Sequence, residues 1–245
     1  QVPETVSCDG LWVYLYGGNR IRVALPAGGS LECVQTSAYP WDGKVRLVLQ
    51  KVEPAKTFGI LLRVPGWVNG PVRIAVNGQA VPGVPSRGAY HPLQRNWRSG
   101  DLVEMEIPMP VRYMAAHPAV ADARGKVAVM RGPIVYCIEG DDVPADIALE
   151  HIRVPAGAAL APALTKELGG VMKLTGTLMC STGAPAAGDR LIPDEAATAL
   201  YREARFAKGA PTLSQGDRPV TVSMIPYYAR LNRKSDYFRI WLPVY

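Results

Sequence analysis

Glycine occurs 24 times and proline 22 times in these 245 residues, so a chain punctuator stands at nearly one position in five. The stretches left between them are short and rich in β-branched and aromatic residues, which argues for many short strands. Leu11-Trp12-Val13-Tyr14-Leu15-Tyr16 stops at Gly17-Gly18-Asn19, and Arg20 to Leu25 then alternates polar and apolar until Pro26-Ala27-Gly28-Gly29. This reads as two strands joined by a turn. Lys44 to Gln50 alternates with period two, which puts Val45, Leu47 and Leu49 on one face and charge on the other. The pattern recurs at Phe58 to Val64, Val72 to Val76 and Leu102 to Ile107, and Asn77-Gly78 supplies the positive φ of a tight hairpin turn. Turn signals spaced about eight to twelve residues apart mark a sandwich or barrel.

The length suits one large or two small domains, and two is the expectation. Strand patterning is interrupted between Tyr113 and Gly125, which gives a first domain over 1–113 and a second over 114–245. In the second, Lys126 to Met130 and Ile134 to Ile138 read as strands around Arg131-Gly132-Pro133, and Val220 to Ile225 and Tyr237 to Leu242 as two closing strands. Pro155 to Gly188, rich in Ala, Gly and Pro, reads as long loops around a strand at Val171 to Leu178. Asp194 to Arg205 fits either a helix or a strand at Ala199 to Ala204. The expected fold is all-β: two β-sandwich, jelly-roll-like domains in tandem.

Hydrophobic residues make up 48% of the chain and charged residues 20%, enough to bury a core and unlike a disordered segment. No apolar run approaches the ~18 residues of a membrane helix. The net charge of +6 is spread singly along strands, and its densest cluster, Arg230 to Arg233-Lys234, is short, so neither nucleic acid nor membrane is an expected partner. Cys8, Cys33, Cys137 and Cys180 lie far apart without metal-ligand spacing, and most sit among apolar neighbours as buried thiols do.

Nucleophilic catalysis would need a base beside a Ser, Cys or Thr, and His91, His117 and His151 have no patterned partner. Glycoside hydrolysis would need two carboxyl groups flanking a bond. Glu104 and Glu106 lie on the polar face of a strand and Asp42, Asp101 and Asp141-Asp142 in turns, none in an apolar setting that would tune an acid. Tyr39-Pro40-Trp41, Pro65-Gly66-Trp67 and Asn96-Trp97 place tryptophans in or beside turns. Sugar-binding modules present stacking rings there, but the same positions plug sandwich ends, and packing is the favoured role. Tyr39, Trp41, Trp67, Trp97, Tyr227 and Tyr228 are the candidate packing or domain-interface residues.

Eight segments then fall in a telling order. They include Gly10 to Tyr16, Thr36 to Trp41, Leu62-Arg63-Val64-Pro65-Gly66-Trp67, Val76-Asn77-Gly78, and Trp97 to Asp101 followed by Ile107 to Arg112. Gly125 to Ala128 with Arg131 to Cys137, and Ile225-Pro226-Tyr227-Tyr228-Ala229 with Asn232-Arg233 and Ile240-Trp241-Leu242, continue the series. The chain resembles glycoside hydrolase family 127, the β-L-arabinofuranosidase family, over almost its whole length; only Ala145 to Ser214 lacks clear matches.

The resemblance implies a helical (α/α)6 barrel that carries catalysis and is followed by β-sandwich domains, of which this chain looks like the sandwiches alone. The family's cysteine nucleophile, held by zinc with further cysteines and a glutamate, and its acid/base glutamate belong to the barrel. None of the four cysteines here fits that motif. The resemblance therefore implies no catalytic residue and no cofactor in this chain, with zinc in the missing domain. The expected role is to buttress the barrel of a retaining glycosidase acting on arabinofuranosides or similar plant-derived sugars. The missing barrel is the first expected partner, with a homodimer and a plant-type glycan as further ones. The alternatives are a carbohydrate-binding module and a free-standing interaction module.

Overall fold

The structure is a computed structural model that describes residues 10–25, 28–83, 86–183, 191–192, 198–207 and 216–245. Among the described residues there is no α-helix, only short 3-10 turns, and the chain forms two compact units, Gln1–Pro110 and Val111–Tyr245. The all-β expectation holds in both. The strand Val111–Ala116 runs through the expected boundary at 113 and pairs wholly within the second unit.

The first unit contains β1 (Gly10–Val13), β2 (Asn19–Ala24), β3 (Ser30–Ser37), β4 (Lys44–Glu53), β5 (Lys56–Arg63), β6 (Arg73–Val76), β7 (Gln79–Ala80), β8 (Tyr90–Trp97) and β9 (Leu102–Glu106). They form a three-stranded sheet, β1-β5-β8, and a six-stranded sheet, β2-β3-β4-β9-β6-β7. Both contribute to one core: Val45, Leu47 and Leu49 of β4 and Val103 and Met105 of β9 cluster with Val13, Phe58, Ile60, Leu62 and Trp97. The alternation read in β4 is thus the alternation between this core and solvent, and each fully buried aliphatic contributes about 1.5–3 kcal/mol. Asn77 and Gly78, at φ 51° and 77°, close the β6–β7 hairpin in the left-handed conformation that the dipeptide favours.

The first two strands are not partners. β1 pairs parallel with β5, and β2 pairs with β3 in the other sheet, so Tyr14 to Gly18 carries the chain across the sandwich. Gly10 faces Gly59 in the parallel pair so closely that a Cβ on Gly10 would lie 2.3 Å from the Gly59 carbonyl oxygen.

The second unit contains β10 (Val111–Ala116), β11 (Lys126–Arg131), β12 (Ile134–Glu139), β13 (Ile152–Arg153), β14 (Leu160–Thr165), β15 (Val171–Cys180), β16 (Tyr201–Glu203), β17 (Arg218–Pro226), β18 (Phe238–Arg239) and β19 (Trp241–Pro243). They pair in the order β13-β15-β17-β12-β11-β10-β16, with β14 joining β15, β18 joining β12 and β19 joining β11. The sheet encloses one core that includes Val127, Val129, Tyr136, Ile138, Leu174, Leu178, Val222 and Met224.

Several details depart from the sequence reading. The loop-like stretch after Pro155 contains β14, paired over six residues with β15. Of the two alternatives for Asp194 to Arg205, the described part contains a strand, β16, while 194–197 lie outside the described residues, as does 184–188 of the loop stretch. The single closing strand expected over Tyr237 to Leu242 is two, because Phe238–Arg239 pairs with β12 and Trp241–Pro243 with β11.

Candidate functional site

The densest polar constellation lies in the second unit, where the apolar strand β12 ends in Glu139. A 3-10 turn, Gly140–Asp142, follows and folds back so that the Glu139 N–H donates to Asp142 Oδ2 at 2.8 Å. The Glu139 residue is 0% and Asp142 5% exposed. Burial of two carboxylates is tolerable only with a cation and full hydrogen bonding, and Arg233 supplies both. Its Nε and Nη2 donate to Glu139 Oε2 at 2.8 and 2.5 Å, and its Nη1 and Nη2 to Asp142 Oδ1 and Oδ2 at 2.8 and 2.7 Å. The Leu231 N–H donates to the remaining oxygen, Glu139 Oε1, at 2.5 Å. Desolvation pushes the Asp142 carboxyl up, while the Arg233 hydrogen bond and the Glu139 amide pull it back. The hydrogen bond with Asp142 in turn holds Arg233 protonated.

This corrects the sequence reading that no acid stands in an apolar setting: Glu139 and Asp142 do. The signal was present in the apolar run Ile134 to Ile138 leading straight into Glu139, but the partner is remote in sequence. A glycosidase pair needs its carboxyl oxygens open to a sugar or a water. Here all four oxygens are taken by Arg233, Leu231 and the Glu139 backbone, so the cluster is a clamp.

What it clamps is the segment from Tyr227 to Phe238. The Arg230 guanidinium lies 4.1 Å from the Tyr227 ring centroid and 5.3 Å from that of Phe238. Asn232 Nδ2 donates to the Ala229 and Arg230 carbonyls, and the Gly140 N–H donates to Ser235 Oγ at 2.9 Å. Tyr227 is half-buried against Phe238, whereas Tyr228, the other candidate of this segment, is 58% exposed.

The four candidates of the first unit separate by depth. Trp97, the last residue of β8, is wholly buried, packs against Phe58 and donates its indole N–H to the Phe58 carbonyl at 2.9 Å. Tyr39 and Trp67 are partly buried against the core and stack on each other at 6.5 Å, with Tyr16 edge-on to Tyr39 at 5.9 Å. Trp41 is half-buried in the turn after a cis Tyr39–Pro40 bond, its backbone N–H donating to the Ala38 carbonyl at 2.7 Å.

A second aromatic group, which the sequence reading did not single out, lies on the outer face of the three-stranded sheet. Trp12 and Tyr14 stack with an interplanar angle of 17° and a centroid separation of 6.3 Å. Tyr90 of β8 sets its ring edge-on to both, at 4.9 and 5.5 Å. Between them Leu61 of β5, registered with Trp12, is only 4% exposed although it alternates away from the core residues Ile60 and Leu62. The chain then crosses to the other sheet through Tyr14 to Gly18, and the crossing is fixed at two points. The Tyr16 hydroxyl, buried, donates to the Arg63 carbonyl, and the buried Gln35 amide donates to the Leu15 and Gly17 carbonyls at 2.9 and 2.6 Å. Tyr14 and Leu15 remain 57% and 75% exposed on this fixed crossing.

The histidines do not converge: His91 is half-buried in β8, His117 accepts the Ala119 N–H in a turn, and His151 ends a 3-10 turn. Cys33, Cys137 and Cys180 are free and buried, and Cys8 lies outside the described residues. Burial pushes the Cys33 thiol up to about 11 and the Cys137 thiol to about 12, which suits core packing and not nucleophilic attack. Among the described residues no three His, Cys, Asp or Glu side chains are grouped to hold a metal ion.

Comparison with known families matches residues 10–109 to "Beta-L-arabinofuranosidase, GH127 middle domain" and residues 111–243 to "Glycoside hydrolase family 127 C-terminal domain". The chain is 32% identical over 221 residues to a non-reducing end β-L-arabinofuranosidase of Bifidobacterium longum subsp. longum, a match covering 86% of this chain and 30% of that protein. It is similar to the crystal structure of a GH127 β-L-arabinofuranosidase from Geobacillus stearothermophilus T6, with a TM-score of 0.76, 34% identity and coverage of 98% of this chain and 34% of the other. A further GH127 β-arabinofuranosidase structure aligns with a TM-score of 0.75 at 27% identity, over 97% of this chain and 35% of its own. The chain thus spans about a third of the length of the proteins it resembles.

Proposed function

The chain belongs to glycoside hydrolase family 127, as a middle and a C-terminal domain, and from that premise we propose that it is the non-catalytic region of a β-L-arabinofuranosidase-like enzyme, buttressing a catalytic barrel that precedes it. The single observation that supports this reading best is the match to these two domains and to only about 30% of the curated relative. The buried acids agree with it, because Glu139 and Asp142 are spent on Arg233. In the proposal the retaining, zinc- and cysteine-dependent chemistry is the work of the preceding region. The present residues neither bind the metal nor move a proton at the sugar; they hold the region in shape.

The test is an assay of the 245-residue chain and of the longer gene product against an aryl β-L-arabinofuranoside, with zinc and reductant. The long form is expected to turn over and the chain alone to match a buffer blank. Turnover by the chain alone that disappears on substituting one of its cysteines overturns the proposal. A second reading, a carbohydrate-binding module, is favoured by the near-parallel Trp12 and Tyr14 rings, and retention on arabinan that Tyr14→Ala abolishes would support it.

A further inference from the structure

We propose that Asn77 is a site of spontaneous deamidation, kept intact in the fold by a side-chain latch on β9, and that the carboxylate formed there undoes the latch.

An asparagine followed by glycine is the most open to this reaction, because glycine has no Cβ to shield its nitrogen. Of the five asparagines only Asn69 and Asn77 are followed in this way. In the reaction hydroxide takes the proton of the Gly78 amide nitrogen, which attacks Asn77 Cγ. A C–N bond forms to close a cyclic imide, the bond from Cγ to the side-chain nitrogen breaks, and that nitrogen takes a proton from water and leaves as ammonia. Water then opens the imide at one carbonyl or the other, giving aspartate or isoaspartate. Gly78 stands at the tip of the β6–β7 hairpin with nothing within 4 Å of where a Cβ would lie, so solvent reaches the reacting nitrogen.

The Asn77 amide is not free to turn toward that nitrogen. Its Oδ1 accepts the Leu102 N–H at 2.8 Å and its Nδ2 donates to Asp101 Oδ1 at 2.8 Å, while the Asn77 backbone N–H donates to the Leu102 carbonyl at 2.9 Å. These bonds continue the β6–β9 ladder one step beyond Val76, which is registered with Val103. Asp101 is itself positioned by the Arg98 N–H, which donates to its Oδ2 at 2.9 Å. Both ends of the amide must leave β9 before Cγ can be attacked. Giving up one hydrogen bond to a charged group and one to a backbone N–H slows the reaction by about tenfold or more.

The product cannot resume the amide's place. An aspartate at 77 still accepts from Leu102, but it sets a carboxylate oxygen against Asp101 Oδ1 where the amide had donated. Asp101 loses a donor and meets a like charge, and isoaspartate also lengthens the turn backbone by a methylene. What this loosens is the β6–β7 hairpin, the edge of the six-stranded sheet.

Peptide mapping by mass spectrometry of the chain aged in mildly alkaline buffer, folded and in urea, tests both halves. In urea Asn69 and Asn77 should both convert, and in the fold Asn77 should be about tenfold slower than in urea. Asp101→Ala should raise the folded rate at Asn77 by about tenfold while the rate at Asn69 stays where it was, which separates a lost latch from general unfolding. Asn77→Asp should melt several degrees below the parent. The exchange Asn77→Asp with Asp101→Asn, which moves the donor to the other side of the same hydrogen bond, should recover most of that loss. No conversion of Asn77 in urea overturns the site. Equal rates at Asn77 in the fold and in urea, or no acceleration in Asp101→Ala beyond that at Asn69, overturns the latch. An Asn77→Asp chain that melts like the parent, or an exchange that recovers nothing, overturns the release.

Discussion

Replacing Arg233 by alanine should strike the second unit harder than any other single polar substitution in it. The guanidinium is the only cation bonded to Glu139 and Asp142 among the described residues, and it contributes four of their hydrogen bonds. Without it, two carboxylates whose side chains are 0% and 1% exposed must either stay charged in the interior or take up protons. Removing one partner of a buried ion pair costs about 3–5 kcal/mol. For a unit the size of Val111–Tyr245, that lowers the melting temperature by roughly 10–20 °C.

The cost should depend on pH with a definite sign. Burial already pushes Asp142 up, and in the variant only the Glu139 amide still pulls it back, so its folded pKa stands further above its unfolded one. A group raised in this way favours the fold below its unfolded pKa, and that advantage is lost as pH rises through the folded pKa. The variant should therefore lie closest to the parent near pH 4, about the ordinary carboxylate value, and furthest from it near pH 8, well above that value. Calorimetry of parent and variant at the two pH values reads both quantities. The triple variant Arg233→Met, Glu139→Gln, Asp142→Asn should recover part of the loss, since it leaves no charge behind. A variant that melts within about 2 °C of the parent at pH 8, or that loses the same amount at both pH values, would refute the claim that these carboxylates are desolvated.

Trp97→Ala should cost the first unit about 3–5 kcal/mol, as for other buried tryptophans, and leave retention on arabinan unchanged; urea denaturation and affinity electrophoresis measure the two. Gly78→Val puts a β-branched side chain at φ 77° and should cost about 1–2 kcal/mol by the same denaturation. Alkali should unfold both units: burial holds Cys33 up at about 11 and Cys137, Tyr113 and Tyr136 at about 12, against ordinary values of 9.0 and 10.0. The unfolded chain releases these protons first, so stability is intact below about pH 9 and falls as pH rises toward 12, which a far-ultraviolet circular dichroism titration would show. At pH 8 the same thiols should react with a disulfide reagent only after urea is added.

What could be read before the fold was known follows from which forces are local. Lys44 to Gln50, Leu102 to Ile107 and the Asn77-Gly78 turn were legible because period-two burial and a left-handed turn are properties of a few neighbouring residues. β14 was not, because Leu160-Ala161-Pro162-Ala163-Leu164-Thr165 has little strand propensity of its own and is held by its six-residue register with β15. Alternation also says which face of a strand is buried, not which strand lies beside it. For that reason β1 and β2 were legible as strands while their assignment to opposite sheets was not. The polar clamp shows the same limit most sharply. An acid at the end of an apolar run is ordinarily a solvated strand end, and Glu139 escapes that rule only because Arg233, 94 residues further on, reaches its carboxylate. Conversely Tyr14 read as one more residue of a strand over Leu11 to Tyr16, since an aromatic side chain on a strand is usually core. Its exposure depends on the chain leaving β1 at Val13 and crossing to the other sheet along a path held by Tyr16 and Gln35, so it became visible only once that crossing was placed.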